Sequence, residues 1–540
     1  MQIQSLEQNK FQQQNTQFKG AVSSSLRYLA TNQAIGANLT DLSFMVIPRV
    51  WTDTKRNPDA CLETARREAS GTINHSSIGL YGAAGGALLS GIMGINKKFN
   101  IKANSMFTAP ETLNILAENK AKQVKDNLQQ IDYLKETLSN VKAYNPTAQN
   151  ADKEGFVKLS QETIDDIAHL IDKSLKDETM TSKKWAKKGA SNSLQVLINK
   201  IIAATGAESK YILESSDKKI ISETNLKTLL EDIYKISDSF NKKDVLKTFE
   251  EQVKNGKPVN ENEFVKKFSK FMKNRSLIGF LIGTGIGMSI QPINIYLTKR
   301  KTGSDGFVGV EGRSKDDSTG FKILKGLASA GFMGLTLITL NTGLKGFMSK
   351  MSFKGKLPTI SQLKGIYGLT IISRLIAARD KDELRESLTK DTLGFLSWLV
   401  LGDFVNRIVA EIFDKSVMNR TKDIAEKKNF FKRIYKSKLK TRDEILIETL
   451  SQNNIDSVKK DGDKIIAKTF KELMNDLKTL PEQTRKITKK RLNTLNGAQI
   501  AGYLFSGLIL GIGIPNLNIY ITNKLDQKRK AKQLETLNAN

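Results

Sequence analysis

Between residues 276 and 298 the chain carries no charge, and glycine returns every fourth position at Gly279, Gly283 and Gly287. A helix needs about 20 apolar residues to cross the hydrocarbon of a bilayer. In water this much glycine weakens a helix by up to about 1 kcal/mol per residue. In lipid the backbone has no competing water, so helix is nearly forced. Four-residue spacing sets the glycines on one face, where another backbone can approach closely. The segment is therefore read as a close-packed membrane helix, against the alternative of a glycine-rich helix buried in a soluble core.

Five further hydrophobic runs occupy 76–95, 326–344, 365–378, 392–413 and 497–522. The last is also free of charge. The run 365–378 is short and contains Arg374, and 392–413 is uncharged only as far as Gly402. The glycine rhythm returns at Gly82, Gly86, Ser90 and Gly94, at Gly326, Ala330 and Gly334, and at Gly507 and Gly511. Basic residues flank both ends of most runs: Lys270, Lys273 and Arg275 precede 276–298, and Lys299, Arg300 and Lys301 follow it. Orientation by the positive-inside rule needs an asymmetry, and little exists here. Pro292 and Pro515 sit late in their runs, where a bend that returns the chain to its starting side is a second expectation.

The order of signals repeats. Arg56, Asp59, Glu63, Thr64, Arg67, Glu68 and Gly71 are matched by Arg379, Asp382, Glu386, Ser387, Lys390, Asp391 and Gly394, a constant shift of 323 (379 − 56). Downstream, Lys247-Thr248-Phe249 returns as Lys468-Thr469-Phe470, and Asn294-Ile295-Tyr296 as Asn518-Ile519-Tyr520. These signals, recurring in one order, are read as an internal duplication. Gly71 to Asn294 spans 223 positions and Gly394 to Asn518 spans 124, so the first half holds about 99 more (223 − 124).

Polar stretches fill the rest. Val124, Leu128, Ile131, Leu134, Leu138 and Val141 have helical spacing, as do Ile164, Ile167, Ile171 and Leu175, then Leu226, Leu229, Ile233 and Ile236, then Phe264, Phe268 and Phe271. A helical bundle or coiled-coil-like hairpin is expected there. The implied organisation is a flexible Gln/Asn-rich leader (1–20), a first-half motif with a membrane helix (21–98) and a soluble basic helical insertion (99–275). A membrane helix (276–301), a Gly/Asp-rich linker (302–321) and second-half membrane and amphipathic helices (322–413) follow. A second soluble basic region (414–491), a membrane helix (492–523) and a charged tail (524–540) complete it.

The formal net charge of +29 suits an anionic membrane face or nucleic acid. One cysteine, Cys61, excludes an intramolecular disulfide framework. His75 and His169 lack metal-ligand spacing around them, no phosphate-loop motif occurs, and Gly303, Gly306, Gly309 and Gly312 have no strand–loop–helix context. No cofactor, metal or catalytic set is expected, and the chain is read as non-enzymatic.

Three charged sets remain as candidates. Asp59, Glu63 and Arg67, with Arg56 before them, stand at four-residue intervals, and Asp382, Glu386 and Lys390 with Arg379 match them. They form either exposed ladders that stabilise their own helices, worth about 0.2–0.5 kcal/mol per pair, or a surface that docks one half on the other. Asp403, Arg407 and Glu411 share one helix face and, with Arg374, make a candidate polar path through the membrane or a helix that only dips into it. The segment 430–436 interleaves aromatic and basic residues and suits a bilayer surface, single-stranded nucleic acid, or a solvated helix with a buried aromatic edge.

The expected fold is all-α: a polytopic helical membrane protein of two duplicated halves with basic helical insertions. The expected location is a bacterial inner membrane, with the basic domains toward the cytoplasm. The expected function is structural or scaffolding, through contact with anionic lipids, a protein partner or a second copy. The alternatives are a transporter or channel between the halves, and a soluble nucleic-acid-binding protein.

Overall fold

A computed structural model describes residues 24–30, 33–187, 192–310, 314–355 and 358–539. The expected leader at 1–20 and Gly312 lie outside them. The chain is mostly helical, 73% helix, with eight short strands among the described residues.

The hydrophobic runs and the segments leading into them form α1 (Gln33–Asp41), α2 (Ile47–Asp53), α3 (Pro58–Ser76), α4 (Ile78–Ile92), α5 (Glu263–Thr302), α6 (Thr319–Thr339) and α7 (Ile360–Ala377). They continue as α8 (Lys381–Leu396), α9 (Gly402–Phe413), α10 (Phe430–Lys436), α11 (Glu482–Ser506) and α12 (Ile514–Ala539). π-helical turns at Leu42–Val46, Ser397–Leu401 and Gly507–Gly513 join α1 to α2, α8 to α9 and α11 to α12. Among the described residues four stretches are long and apolar enough to cross a membrane: α5, α6, α8 through α9, and α11 through α12. Two of the six runs fall short, since α4 has 15 residues and α7 has 18 with Arg374 buried inside it.

The bend back at Pro292 does not occur. α5 is one helix of 40 residues, about 60 Å at 1.5 Å per residue, and it passes through Pro292 with its basic flanks at opposite ends. The helix from α11 into α12 likewise runs on past Pro515. The boundaries placed at 275 and 491 fall inside helices.

These helices present Leu281, Ile293 and Tyr296 on α5, Ile323, Leu327 and Ile338 on α6, and Leu504, Leu508 and Ile512 around the last π-turn as exposed side chains. Between residues 96 and 262 the exposed large apolar residues are Leu128 and Ile221 alone among those described. The contrast separates a water-adapted part from one whose apolar surface calls for another covering.

Glycine sets the close approaches. A Cβ on Gly279 would lie 3.0 Å from the Gly82 backbone, and one on Gly86 2.8 Å from the Arg275 side chain, so α4 runs antiparallel against the first half of α5. A Cβ on Gly283 would meet Ile366 and one on Gly287 would meet Thr370, both on α7. Those on Gly507 and Gly511, each 224 positions later (507 − 283, 511 − 287), would meet Phe44 and Pro48 on the α1–α2 segment. Gly326 and Gly334 of α6, expected to pack, have nothing within 4 Å.

The polar stretches form one body. A helix–hairpin–helix unit occurs three times: Gln130–Ser139, β1 (Val141–Tyr144), β2 (Phe156–Lys158) and Gln161–Lys176; then Ser193–Thr205, β3 (Tyr211–Glu214), β4 (Ile221–Thr224) and Leu226–Phe240; then Arg442–Gln452, the hairpin Val458–Asp461 and Lys464–Ala467, and Phe470–Thr479. The first two hairpins pair antiparallel into one sheet, ordered β2-β1-β3-β4. The expected bundle is thus interrupted by strands, and the helix expected over 124–141 breaks before Gln129, with Val141 placed in β1. Leu446, Leu450, Leu473 and Leu477 join the same apolar core as Leu116, Ile167, Ile201 and Phe268. The two polar regions, remote in sequence, therefore share a core. Arg27 ties in with a 2.6 Å ion pair to Asp443 and stands 4.7 Å over the Phe470 ring.

Candidate functional site

The start of each motif helix is fixed by its cap. Asn57 accepts a hydrogen bond from the Ala60 amide at 2.7 Å, and Asp380, 323 positions later (380 − 57), accepts from the Glu383 amide at 2.8 Å. Such caps satisfy amides left open in the first turn. They also set the rotation of α3 and α8, so that the second and third turns of each helix face the same seam.

Across that seam the charges exchange. Arg56 donates to Glu386 at 2.8 Å, and Arg379 donates to Glu63 at 2.6 and 3.2 Å. Each arginine stands just before the cap of one motif helix and reaches a carboxylate two turns into the other. Arg379 also binds Glu383 through Nε at 2.9 Å and lies 5.9 Å from the Phe307 ring.

A deeper layer follows. Arg49 pairs with Glu68 at 3.1 Å and Arg374 with Asp391 at 3.1 Å. The diagonals Arg49–Asp391 and Arg374–Glu68 are 3.8 and 3.6 Å. Arg67 and Lys390 approach Glu68 at 3.1 and 3.8 Å. Gly71 and Gly394 leave room for these side chains: a Cβ on Gly71 would lie 3.3 Å from Arg374 Nη2, and one on Gly394 2.7 Å from Arg49 Nη2. The basic set Arg49, Arg56, Arg67, Arg374, Arg379 and Lys390 is matched in number by Asp53, Glu63, Glu68, Glu383, Glu386 and Asp391. Most of these side chains are buried. Burying charge costs several kcal/mol per ion unless partners compensate, and here the partners are complete in formal charge.

The long apolar helices also contribute. Thr298 of α5 accepts from Arg66 at 2.8 Å, and Lys301 reaches Asp59 at 2.8 Å. From α12, Asn518 donates to the Glu386 carbonyl at 3.0 Å, Thr522 bonds the Glu386 carboxylate, and Arg529 reaches Asp382 at 2.5 Å. The segment after α5 covers the seam: Asn57 donates to the Val308 carbonyl at 2.9 Å and Phe307 is buried. What remains is a cleft of about 20 Å³ lined by Arg56, Glu63, Thr64, Arg67, Glu386, Ser387 and Lys390. That is room for about one water.

The motif residues thus differ from the exposed ladders first expected. Asp59, Glu63 and Arg67 pair with Lys301, Arg379 and Glu68, not with one another. The candidate polar path does not form, because Arg374 stands apart from the other three residues. Arg374 belongs to the seam. On α9, Asp403 pairs with Arg407 at 2.5 Å, and Glu411 binds Arg420 at 2.7 Å and Arg433 at 3.1 Å. Arg49 joins the seam from outside the candidate sets, and its one signal in the sequence is that of Arg374, a lone arginine among apolar residues.

His75 shares a 3.0 Å contact with Asp41, to which Thr72 also donates. Cys61 is half-buried and unpaired. No cluster of three His, Cys, Asp or Glu suited to a metal exists among the described residues. Compared with known proteins, the chain matches no family model, no curated protein and no solved structure.

Proposed function

We propose that this chain is an integral membrane protein built from two related halves by duplication, and that its work is structural. It clamps a polar helical domain to one face of the bilayer, the cytoplasmic face of a bacterial inner membrane, for contact with a protein partner or anionic lipid. The carrying observation is the arginine exchange, Arg56 to Glu386 and Arg379 to Glu63. A closed, charge-balanced seam with room for about one water favours a fixed joint over a conduit.

Supporting the duplication, the glycine pair of α5 receives α7 just as the pair 224 positions later (507 − 283) receives the α1–α2 segment. Each half thus lends its leading segment to the other half's long helix. Antiparallel neighbours supply the crossing sense: α3 and α4 against α5, α6 against α7, and α8 and α9 against α12 and α11. The four long stretches, with the shorter α4 and α7 running beside them, then carry both polar regions on one side.

Sodium carbonate washing of membranes from expressing cells is the test. The chain is expected in the pellet, and release into the wash overturns the reading. A second reading, a transporter with its path between the halves, draws on the burial of Glu68 and Asp391 beside apolar helices. It requires an ion or proton flux across reconstituted vesicles that Glu68→Gln abolishes, whereas a fixed joint requires none.

A further inference from the structure

The charged face of α9 faces a short helix, and that helix is held in one pose. Arg407, steadied by Asp403 at 2.5 Å, donates to the carbonyls of Ile434, Tyr435 and Ser437 at 3.3, 2.8 and 3.1 Å, which are the open acceptors at the end of α10. Glu411 holds Arg433 of the same helix at 3.1 Å. Ile434 is fully buried beneath it. So much anchoring for one two-turn helix calls for a reason in what the helix presents outward.

Outward it presents Phe431 and Tyr435, 65% and 70% exposed, with Lys428, Lys432 and Lys436 alongside. Phe431 stacks on Phe404 of α9 at 6.3 Å, so its apolar patch continues that of the long helix. Ile412 and Phe413, at the end of α9, are each 67% exposed. The charge-free part of this stretch ends at Gly402, and α10 lies alongside the charged turns that follow. Apolar rings flanked by ammonium groups, at the level where charge first returns, match a layer of lipid phosphates over acyl chains. A soluble partner's groove requires no such depth.

We propose that α10 is a membrane-surface foot: Phe431 and Tyr435 dip into the headgroup layer, and Lys428, Lys432 and Lys436 bind anionic phospholipid. The foot rests on the reading of the chain as an integral membrane protein. It fixes the depth of the second half on the side that bears the polar domain. Arg407 is a positioning residue in it.

The test uses the full chain in lipid nanodiscs, with Cys61→Ser removing the native thiol. Single cysteines replace Tyr435, Leu508 in the proposed crossing, and Leu128 on the polar domain, each carrying a nitroxide. Accessibility to oxygen against a water-soluble nickel reagent reports depth. With phosphatidylglycerol present, the label at 435 is expected between the lipid-like reading at 508 and the aqueous one at 128. Changing Lys428, Lys432 and Lys436 to Gln is expected to weaken the association by about fivefold per lysine and return the label toward water. An aqueous reading at 435 with a lipid reading at 508 overturns the foot and leaves the membrane reading standing. Aqueous readings at both positions overturn the two together.

Discussion

Arg379 grips both oxygens of Glu63, 316 positions earlier in the chain, at 2.6 and 3.2 Å, while keeping Glu383 at 2.9 Å. One cation thus serves two buried carboxylates, which makes the two sides of the contact unequal. Arg379→Met leaves Glu63 and Glu383 both without their arginine and is expected to cost about 3–5 kcal/mol. Glu63→Gln leaves Arg379 still balanced by Glu383 and is expected to cost about 1–2 kcal/mol, the scale of a weakened hydrogen bond. Thermal unfolding of the purified chain in detergent measures the order. Equal losses would show that Glu383 does not share the charge.

Close helix approach makes a second contrast. A methyl on Gly279 meets the backbone of Gly82 at 3.0 Å, and backbone cannot rotate aside. Gly279→Ala is expected to destabilise by about 1–3 kcal/mol, the range for overpacking. Gly285 has nothing within 4 Å, so Gly285→Ala is expected to be neutral or to stabilise by up to about 1 kcal/mol through helix propensity. The same melting measurement on both variants decides it, and a Gly285→Ala loss as large as that at Gly279 would contradict the packing.

What was legible in the chain follows from how local the cause is. The run containing Gly279, Gly283 and Gly287 dictates a close-packed helix by itself, and α5 is that helix. The motif at 56–71 was visible as a spacing, but spacing does not choose a partner. Glu63 has Arg67 one turn away and still pairs with Arg379, because only the folded chain brings that fork within reach. The strands stayed hidden because each spans at most four residues inside Lys-rich segments, too short for alternation to register. The shared polar core was hidden because Leu446 and Leu116 join one core only after the fold has brought their distant segments together.

The polar domain carries its own pH dependence. Burial pushes the Asp232 carboxyl up to about 8, against the hydrogen bond from Thr108 at 2.7 Å and the attraction of Lys235 and Arg275, with Glu231 adding to the rise. An acid whose folded pKa lies above its unfolded one binds more protons when folded between the two values. Stability therefore falls as pH rises from about 4 toward 8, and the loss levels off above that. Raising the pH from 6 to 9 is expected to lower the melting temperature of the full chain. Asp232→Asn, which can still accept from Thr108, is expected to flatten that dependence. An unchanged slope in the variant would assign the effect elsewhere.

The crossing sense is open to direct measurement because the chain has a single cysteine to remove. In a Cys61→Ser background, single cysteines at Lys273, Arg300, Lys489 and Lys528 replace exposed residues at the two ends of the long helices. α5 runs unbroken for 40 residues between the first pair, and the helix from Glu482 to Thr536 carries the second pair. A rod of about 60 Å exceeds the roughly 30 Å hydrocarbon core twofold, so both ends of α5 lie in water on opposite faces if it crosses. Lys273 and Lys489 both adjoin the polar domain side, and Lys301 and Arg529 both meet the first turns of motif helices, at Asp59 and Asp382. An impermeant maleimide added outside sealed vesicles should therefore label 273 and 489 as one pair and 300 and 528 as the other, never all four. Labelling of all four from one side would place these helices along the surface and dissolve the two-sided arrangement on which the clamp depends.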